Sequence, residues 1–339
     1  MSCRPLPLLS RSRSSPVVAH PATVSVLADP ELSIVVVAYR NPELTRECLR
    51  SVFEQTHGSF EVIVLDNASG DGTAEMVAAE FPRARLYSLD QNIGFARGNN
   101  LAASHARGDW LLLLNPDTVV LDGALDHLLA FARTRPDGGI YGGRTLQPDG
   151  RVNPTSCWGL PTLWSTLCFA TGASTLFPDS RWLNPESLGR WERDSVRTVG
   201  AISGCLLLLR RSLWERLGGF DERFFMYGED IDLAVRARAL GFAPLITPDA
   251  TVVHVVGASA SGSGSKMTQI LRARATLMRE HWSPPKRAFG LALLNTGVAL
   301  RAAGAAALAR RGRRGSAQQW REAWRRRDEW RRGYGVQDF

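Results

Sequence analysis

From Leu32 onward the chain repeats one unit: an apolar run of strand length, a polar cluster, then a segment of helix length with its apolar residues on one side. The runs are Ser33 to Ala38, Glu61 to Leu65, Ala84 to Ser88 and Asp109 to Leu114. Unbroken runs of this kind, with little polar alternation, read as strands buried on both faces, and joining such strands in parallel demands crossover helices. The intervening segments supply them, from Pro42 to Gln55, from Thr73 to Phe81, from about Gly94 to Ala106 and from Gly123 to Thr134. In the first, Leu44, Cys48, Leu49 and Val52 share one face. The expected fold is therefore α/β, a mostly parallel central sheet with helices on both faces. Ligands of such sheets bind at the carboxyl ends of the strands. Each end here carries a polar cluster: Tyr39-Arg40-Asn41, Asp66-Asn67, Asn92-Ile93-Gly94-Phe95 and Asn115-Pro116-Asp117. One Asx-rich turn is ordinary chain punctuation, but four on one sheet edge mark a site.

A second cluster follows the aromatic run Phe224, Phe225 and Tyr227, where Glu229, Asp230 and Asp232 crowd the mouth of a helix that ends near Gly241. Neighbouring carboxylates are costly unless a cation, a helix dipole or a reacting proton uses them. Asp232 lies four residues before Arg236 and on a different helix face from Asp230, which suits a cap or an ion pair better than chemistry. Between the two clusters, residues 142–199 are irregular and rich in tryptophan, an expected acceptor-side wall or packed insertion. Ala201 to Leu209 reads as one core strand, with Gly204 letting backbone approach a ligand.

The segments SIVVVAYRN, VLDNASGDGT, NIGFARGNN, LLLLNPDT, SGCLLLLRR and GGFDERFFMYGEDIDLAVRARALGF resemble, in order, those of family 2 glycosyltransferases of the GT-A fold, in particular the bacterial rhamnosyltransferase-type members that build cell-surface polysaccharides. The resemblance spans about Leu32 to Trp282. It implies an inverting transfer of a hexose from a TDP- or UDP-sugar donor to a lipid-linked or polysaccharide acceptor, with Mg²⁺ or Mn²⁺ as cofactor. By the same resemblance Asp66 meets the N3–H of a pyrimidine. Ala38 and Asn41 line the nucleoside, Asn92 and Asn99 sit by the ribose and diphosphate, and Tyr39, Asn67, Gly94, Asn115 and Gly204 complete the nucleotide-sugar site. Asp117 and His254 are the implied metal contacts, and Asp230 is the base, with Glu229 as its partner or alternative. The chain departs from the family's D-x-D signature by carrying Asn115 at the first acid position, so one carboxylate bears the cation's charge there.

The formal net charge of +8 is unevenly distributed: residues 286–339 hold 13 basic and 4 acidic side chains, whereas residues 31–285 hold 25 and 28. Basicity thus belongs to a C-terminal helical tail, where apolar residues, arginines and tryptophans suit contact with an anionic membrane surface and no nucleic acid is expected. Residues 1–30 read as a flexible leader and residues 31–285 as the glycosyltransferase domain, divided near residue 140 into donor and acceptor halves. Five cysteines without a C-x-x-C pair fit reduced thiols and a cytoplasmic protein on the inner face of the cell membrane. A Gly/Ser-rich loop at residues 258–266 is expected to be either a lid over bound donor or a linker, since its composition fits both equally. Nucleotidyl transfer is disfavoured because Ala38 to Asn41 has no glycine-rich phosphate loop. A binding protein that kept the fold without the chemistry is the remaining alternative.

Overall fold

The computed structural model describes residues 18–19, 29–255, 263–310 and 317–335. The expected leader, most of the Gly/Ser-rich loop and the basic run Arg311 to Arg314 lie outside the described residues. Eight strands carry the main sheet: β1 (Leu32–Ala38), β2 (Phe60–Asp66), β3 (Ala84–Ser88), β4 (Trp110–Leu114), β5 (Thr118–Val120), β6 (Ile140–Leu146), β7 (Leu206–Arg210) and β8 (Leu245–His254). The helices that matter are α1 (Pro42–Gln55), α2 (Thr73–Glu80), α3 (Phe95–Ala103), α4 (Ala124–Thr134), α5 (Leu163–Thr171), α6 (Arg211–Leu217), α7 (Glu229–Ala239), α8 (Ser263–His281), α9 (Pro284–Arg310), α10 (Ala317–Arg325) and α11 (Arg327–Arg331).

The strand order is β3-β2-β1-β4-β7-β6-β8-β5. Strands β1 to β4 pair in parallel, as do β6 and β8. β7 is antiparallel to β4 and β6, and β5 is antiparallel to β8, so six of the eight strands share a direction. Val18–Ala19 and Arg197–Thr198 add short antiparallel pairs to β3 and β8. Alternate side chains of β1 serve opposite layers, as strand geometry requires. Ile34 and Val36 join a core with Leu49 of α1, Val77 of α2 and Leu128 of α4. Val35 and Val37 join a second with Ala96 of α3, Trp214 of α6 and Leu233 of α7.

The expected single strand from Ala201 to Leu209 is two. Ala201–Ile202 pairs with Cys157–Trp158 in a separate small sheet, and the chain turns through Ser203-Gly204-Cys205 before Leu206 enters the main sheet. That break faces backbone atoms of Gly204 toward the strand ends, where an unbroken strand would have buried them.

The tail from residue 286 is helical and docked. Leu294 and Val298 of α9, Ala323 of α10 and Trp330 of α11 form a third core with Leu271, Ala275 and Met278 of α8. The chain then returns to the acid-bearing loop: Tyr334 is buried, its N–H donates to Thr276 Oγ1 at 2.8 Å, and its ring meets that of Phe224 at 5.8 Å. Pro284–Ala305 is long and apolar enough to span a bilayer by length and composition. Yet Arg301 within it donates to the carbonyls of Phe169 and Gly297 at 2.6 and 3.1 Å, a cation set against the last turn of α5. The four described cysteines, Cys48, Cys157, Cys168 and Cys205, are buried free thiols.

Candidate active site

One cavity of about 500 Å³ opens at the carboxyl ends of the strands and unites both clusters read from the sequence. Tyr39, Asn67, Asn92, Gly94, Asn115 and Asp117 reach it from the loops after β1 to β4. Gly204, Glu229, Asp230 and His254 complete the set from the β7 turn, the start of α7 and the end of β8. Asp117 and Asp230 therefore share one cleft.

The loop after β3 is held by an amide network. Asn67 Nδ2 donates to Asn92 Oδ1 at 3.0 Å and to the Gly94 carbonyl at 3.1 Å, while its Oδ1 accepts from Ile93 N–H at 2.9 Å. Asn92 Oδ1 also accepts from Gly94 N–H at 2.8 Å. Gly94 has φ 84° and ψ 175°, a conformation open essentially to glycine alone. A Cβ there would sit 2.6 Å from the Phe225 carbonyl oxygen, which accepts the Phe95 N–H at 2.7 Å. Gly94→Ala is thus expected to destabilise the fold by about 2–4 kcal/mol, combining backbone strain with loss of that contact. Urea titration checks it: the midpoint should fall with the slope unchanged.

The two acids at the start of α7 differ in kind. Glu229 is buried, and Oε2 has no hydrogen-bond partner. Burial, and then the neighbouring Asp230 charge, push its carboxyl well above the usual range. Asp230 reaches the cavity, accepts the Ile231 N–H at 2.8 Å, and is raised by burial to about 6 despite backbone donors, including that of Gly204. Burial is the first cause of both shifts, and the two neighbouring carboxylates repel each other. Asp232 points away from the cavity. It is buried, paired with Arg236 at 2.6 Å and with His281 Nε2 at 2.7 Å, which ties α7 to the end of α8.

In the same cavity His254 Nε2 lies 3.2 Å from Asp117 Oδ1 and 3.4 Å from Asn115 Nδ2. Asn115 Oδ1 and His254 Nδ1 are buried without partners. Among the described residues no three His, Cys, Asp or Glu side chains converge as a metal cage. The donor set instead fits a cation that takes one carboxylate and one imidazole from protein and its remaining ligands from a substrate's phosphates.

Asp66 faces a neighbouring recess, lined also by Ala68, Gly70, Ser88, Leu89 and Asp90. Its Oδ2 accepts the Ser69 N–H at 3.3 Å, whereas Oδ1 is buried with no partner, and burial raises its carboxyl. Three expected contacts line neither space. Ala38 is fully buried and its carbonyl accepts the Asn67 N–H; Asn41 sits at the N-cap of α1 with φ 57°; buried Asn99 donates back to the Phe95 carbonyl at 2.9 Å, inside α3.

A further wall comes from α8, whose Arg274 reaches the cavity while Arg272 and Arg279 do not. Lys266, Ile270, Ala273, Arg274 and Leu277 of α8 line the cavity, a stripe at helical spacing that periodicity alone could have found. Tyr227 lines it with φ 71°, a conformation costly for a bulky side chain. Of the tryptophans, Trp158 reaches the cavity, Trp191 is buried, and Trp164 and Trp182 are exposed.

A doubly covered, mostly parallel α/β sheet with its cleft at the strand ends is the architecture of a GT-A glycosyltransferase. Residues 33–217 match the Glycosyl transferase family 2 domain, and the chain belongs to that family. It is 34% identical over 235 residues, covering 66% of this chain and 75% of the relative, to the N-acetylglucosaminyl-diphospho-decaprenol L-rhamnosyltransferase of Mycobacterium tuberculosis. It is 30% identical over 261 residues to the O-antigen biosynthesis protein RfbC of Myxococcus xanthus, covering 74% of this chain and 20% of that one. Among solved structures it resembles the mannosyltransferase PcManGT from Pyrobaculum calidifontis in complex with GDP-Man and Mn²⁺, with TM-score 0.54, 19% identity, and coverage of 91% and 90%. GalNAc-T7 with UDP, GalNAc and Mn²⁺ gives TM-score 0.56 at 14% identity, covering 79% of this chain and 51% of that one. These two share the fold.

Proposed function

We propose that this glycosyltransferase transfers a hexose, L-rhamnose first among candidates, from a TDP- or UDP-sugar to a hydroxyl of a lipid-linked acceptor in cell-surface glycan synthesis, with inversion and a divalent cation. The observation that carries the reading is the single cleft shared by Asp117 and Asp230. The relatives' names supply the sugar and acceptor class.

In this reading the pyrimidine occupies the recess at Asp66, whose unpartnered Oδ1 accepts its N3–H. The Asn67–Asn92 network holds the loop that meets ribose and diphosphate. Asp117 and His254, with Asn115 beside them, would hold Mg²⁺ or Mn²⁺, and the cation would supply charge neutralisation for the departing diphosphate. Asp230 accepts the acceptor hydroxyl proton as its oxygen bonds to the anomeric carbon. The carbon–oxygen bond to phosphate breaks on the opposite face, releasing the nucleoside diphosphate. Burial and the neighbouring Asp230 raise the Glu229 carboxyl, which favours its neutral form beside the base. No separate nucleophile with a base beside it lines the cavity among the described residues, which supports inversion.

The protein works at the cytoplasmic face of the membrane as a peripheral enzyme. Exposed Phe289 and Leu300 on α9, together with Trp164, Phe177 and Trp182, supply the apolar contact.

Thermal-shift measurement against TDP-, UDP- and GDP-sugars, each with and without Mn²⁺, tests the donor. At about a hundredfold excess over Kd, the right pyrimidine sugar with cation should raise Tm by roughly 4–8 °C. Equal stabilisation by GDP-sugars without cation would overturn the reading.

A further inference from the structure

We propose that Arg274, at the rim of the cavity, receives the phosphate group of a phosphorylated acceptor, exchanging Glu186 for that anion. The inference rests on the acceptor class proposed above. Three arginines of α8 are candidates by spacing, and the structure separates them. Arg272 lies over the Tyr334 ring at 4.4 Å and donates to the Gly333 carbonyl, and Arg279 donates to the Arg331 carbonyl, so both face the C-terminal helices. Arg274 lines the cavity.

Its partner is Glu186, in the turn Pro185–Ser187, also lining the cavity and fixed through its own carbonyl, which accepts the Gly159 N–H at 3.0 Å. Arg274 Nη2 bonds Glu186, while Nε is buried without a partner. A guanidinium presents five N–H donors in a fork that matches phosphate as well as carboxylate. One bond to one carboxylate therefore leaves donors unused.

The local charge count points the same way. Arg274 and Arg301 flank the Phe169 ring at 5.7 and 3.8 Å, and Arg301 spends its bonds on the Phe169 and Gly297 carbonyls and the Thr175 hydroxyl. Burial, and then the Arg274 charge, pull the Arg301 guanidinium below its ordinary value. Arg274 thus has a second guanidinium nearby and one carboxylate as its own partner, and a phosphate would bring it more compensating charge than Glu186 does. Exchange keeps Arg274 paired throughout, avoiding an uncompensated buried charge. Arg274 arrives from α8, whereas Asp117 and His254 stand at strand ends, so the rim offers a second anion position beside the donor's.

Kinetics of the purified full chain test this with two acceptors: N-acetylglucosaminyl diphosphate bearing a short prenyl chain, and octyl N-acetylglucosaminide, which has no phosphate. Arg274→Ala should raise KM for the diphosphate acceptor about ten- to hundredfold and for the octyl glycoside by less than about twofold. Arg274→Lys should recover part of the loss. Glu186→Gln breaks the same ion pair but frees the guanidinium, and should lower KM for the diphosphate acceptor. If both single changes weaken the two acceptors alike, the pair is a structural brace and the inference fails. If Arg274→Ala raises the donor's KM in place of the acceptor's, the phosphate bound is the donor's and the inference fails. A wild-type enzyme that glycosylates neither acceptor would overturn the proposed acceptor class itself, and the inference with it.

Discussion

Asp230→Asn is expected to slow sugar transfer by about 10³- to 10⁴-fold while donor binding persists, because the amide fills the same space but cannot take the acceptor's proton. Single-turnover assays, with donor affinity measured separately, check both halves. A loss of donor binding equal to the loss of rate would remove Asp230 from the base role. The pH profile follows from its raised carboxyl. The ionised form is the base, so activity should rise with pH through about 6 and level above it. Stability runs the other way. A carboxyl raised on folding contributes stability below its unfolded value of 3.8, and that contribution is lost as pH rises through about 6. Asp230→Asn should therefore stabilise the fold near pH 7.5 and do little near pH 4. The shift corresponds to about 3 kcal/mol, reduced to about 1–2 kcal/mol because the carboxyl reaches solvent in the cavity. Stability gained with activity lost marks a buried group kept for chemistry.

Asp117→Ala is expected to weaken donor binding about 10²-fold and to abolish its dependence on Mn²⁺, since the site's one carboxylate would be gone and His254 would remain alone. Calorimetric titration of donor with and without Mn²⁺ measures this. Asn115→Asp supplies the opposite test by restoring the two-acid pattern, and should tighten Mn²⁺ about tenfold through added ligand charge. An Asp117→Ala enzyme that still binds donor more tightly with Mn²⁺ would exclude the pair with His254 as the cation contact.

The sheet and the cleft were legible because both rest on local patterns. Ile34 to Val37 can be covered on both faces only inside a parallel α/β layer, and polar residues after β1 to β4 must then gather at one edge. The acid pair was legible by its improbability: adjacent carboxylates behind an aromatic run have few uses. Other features had no local signal. Ser203-Gly204-Cys205 reads as strand interior, and it breaks because Ala201–Ile202 finds Cys157–Trp158 some forty residues upstream. The resemblance puts Asn99 by the ribose and diphosphate, and only the structure shows its Nδ2 donating to the Phe95 carbonyl in the preceding turn of its own helix.

The parallel layer of β1 to β4 and the polar edge at their ends were already written in the amino-acid order, since periodicity and turn chemistry act over a few residues. The burial that raises Glu229 and Asp230, the use of Asp232 to hold His281, and the choice of Arg274 over Arg272 and Arg279 belong to the tertiary structure alone. Burial and pairing partners come from distant segments, and they decide which of several identical side chains faces substrate.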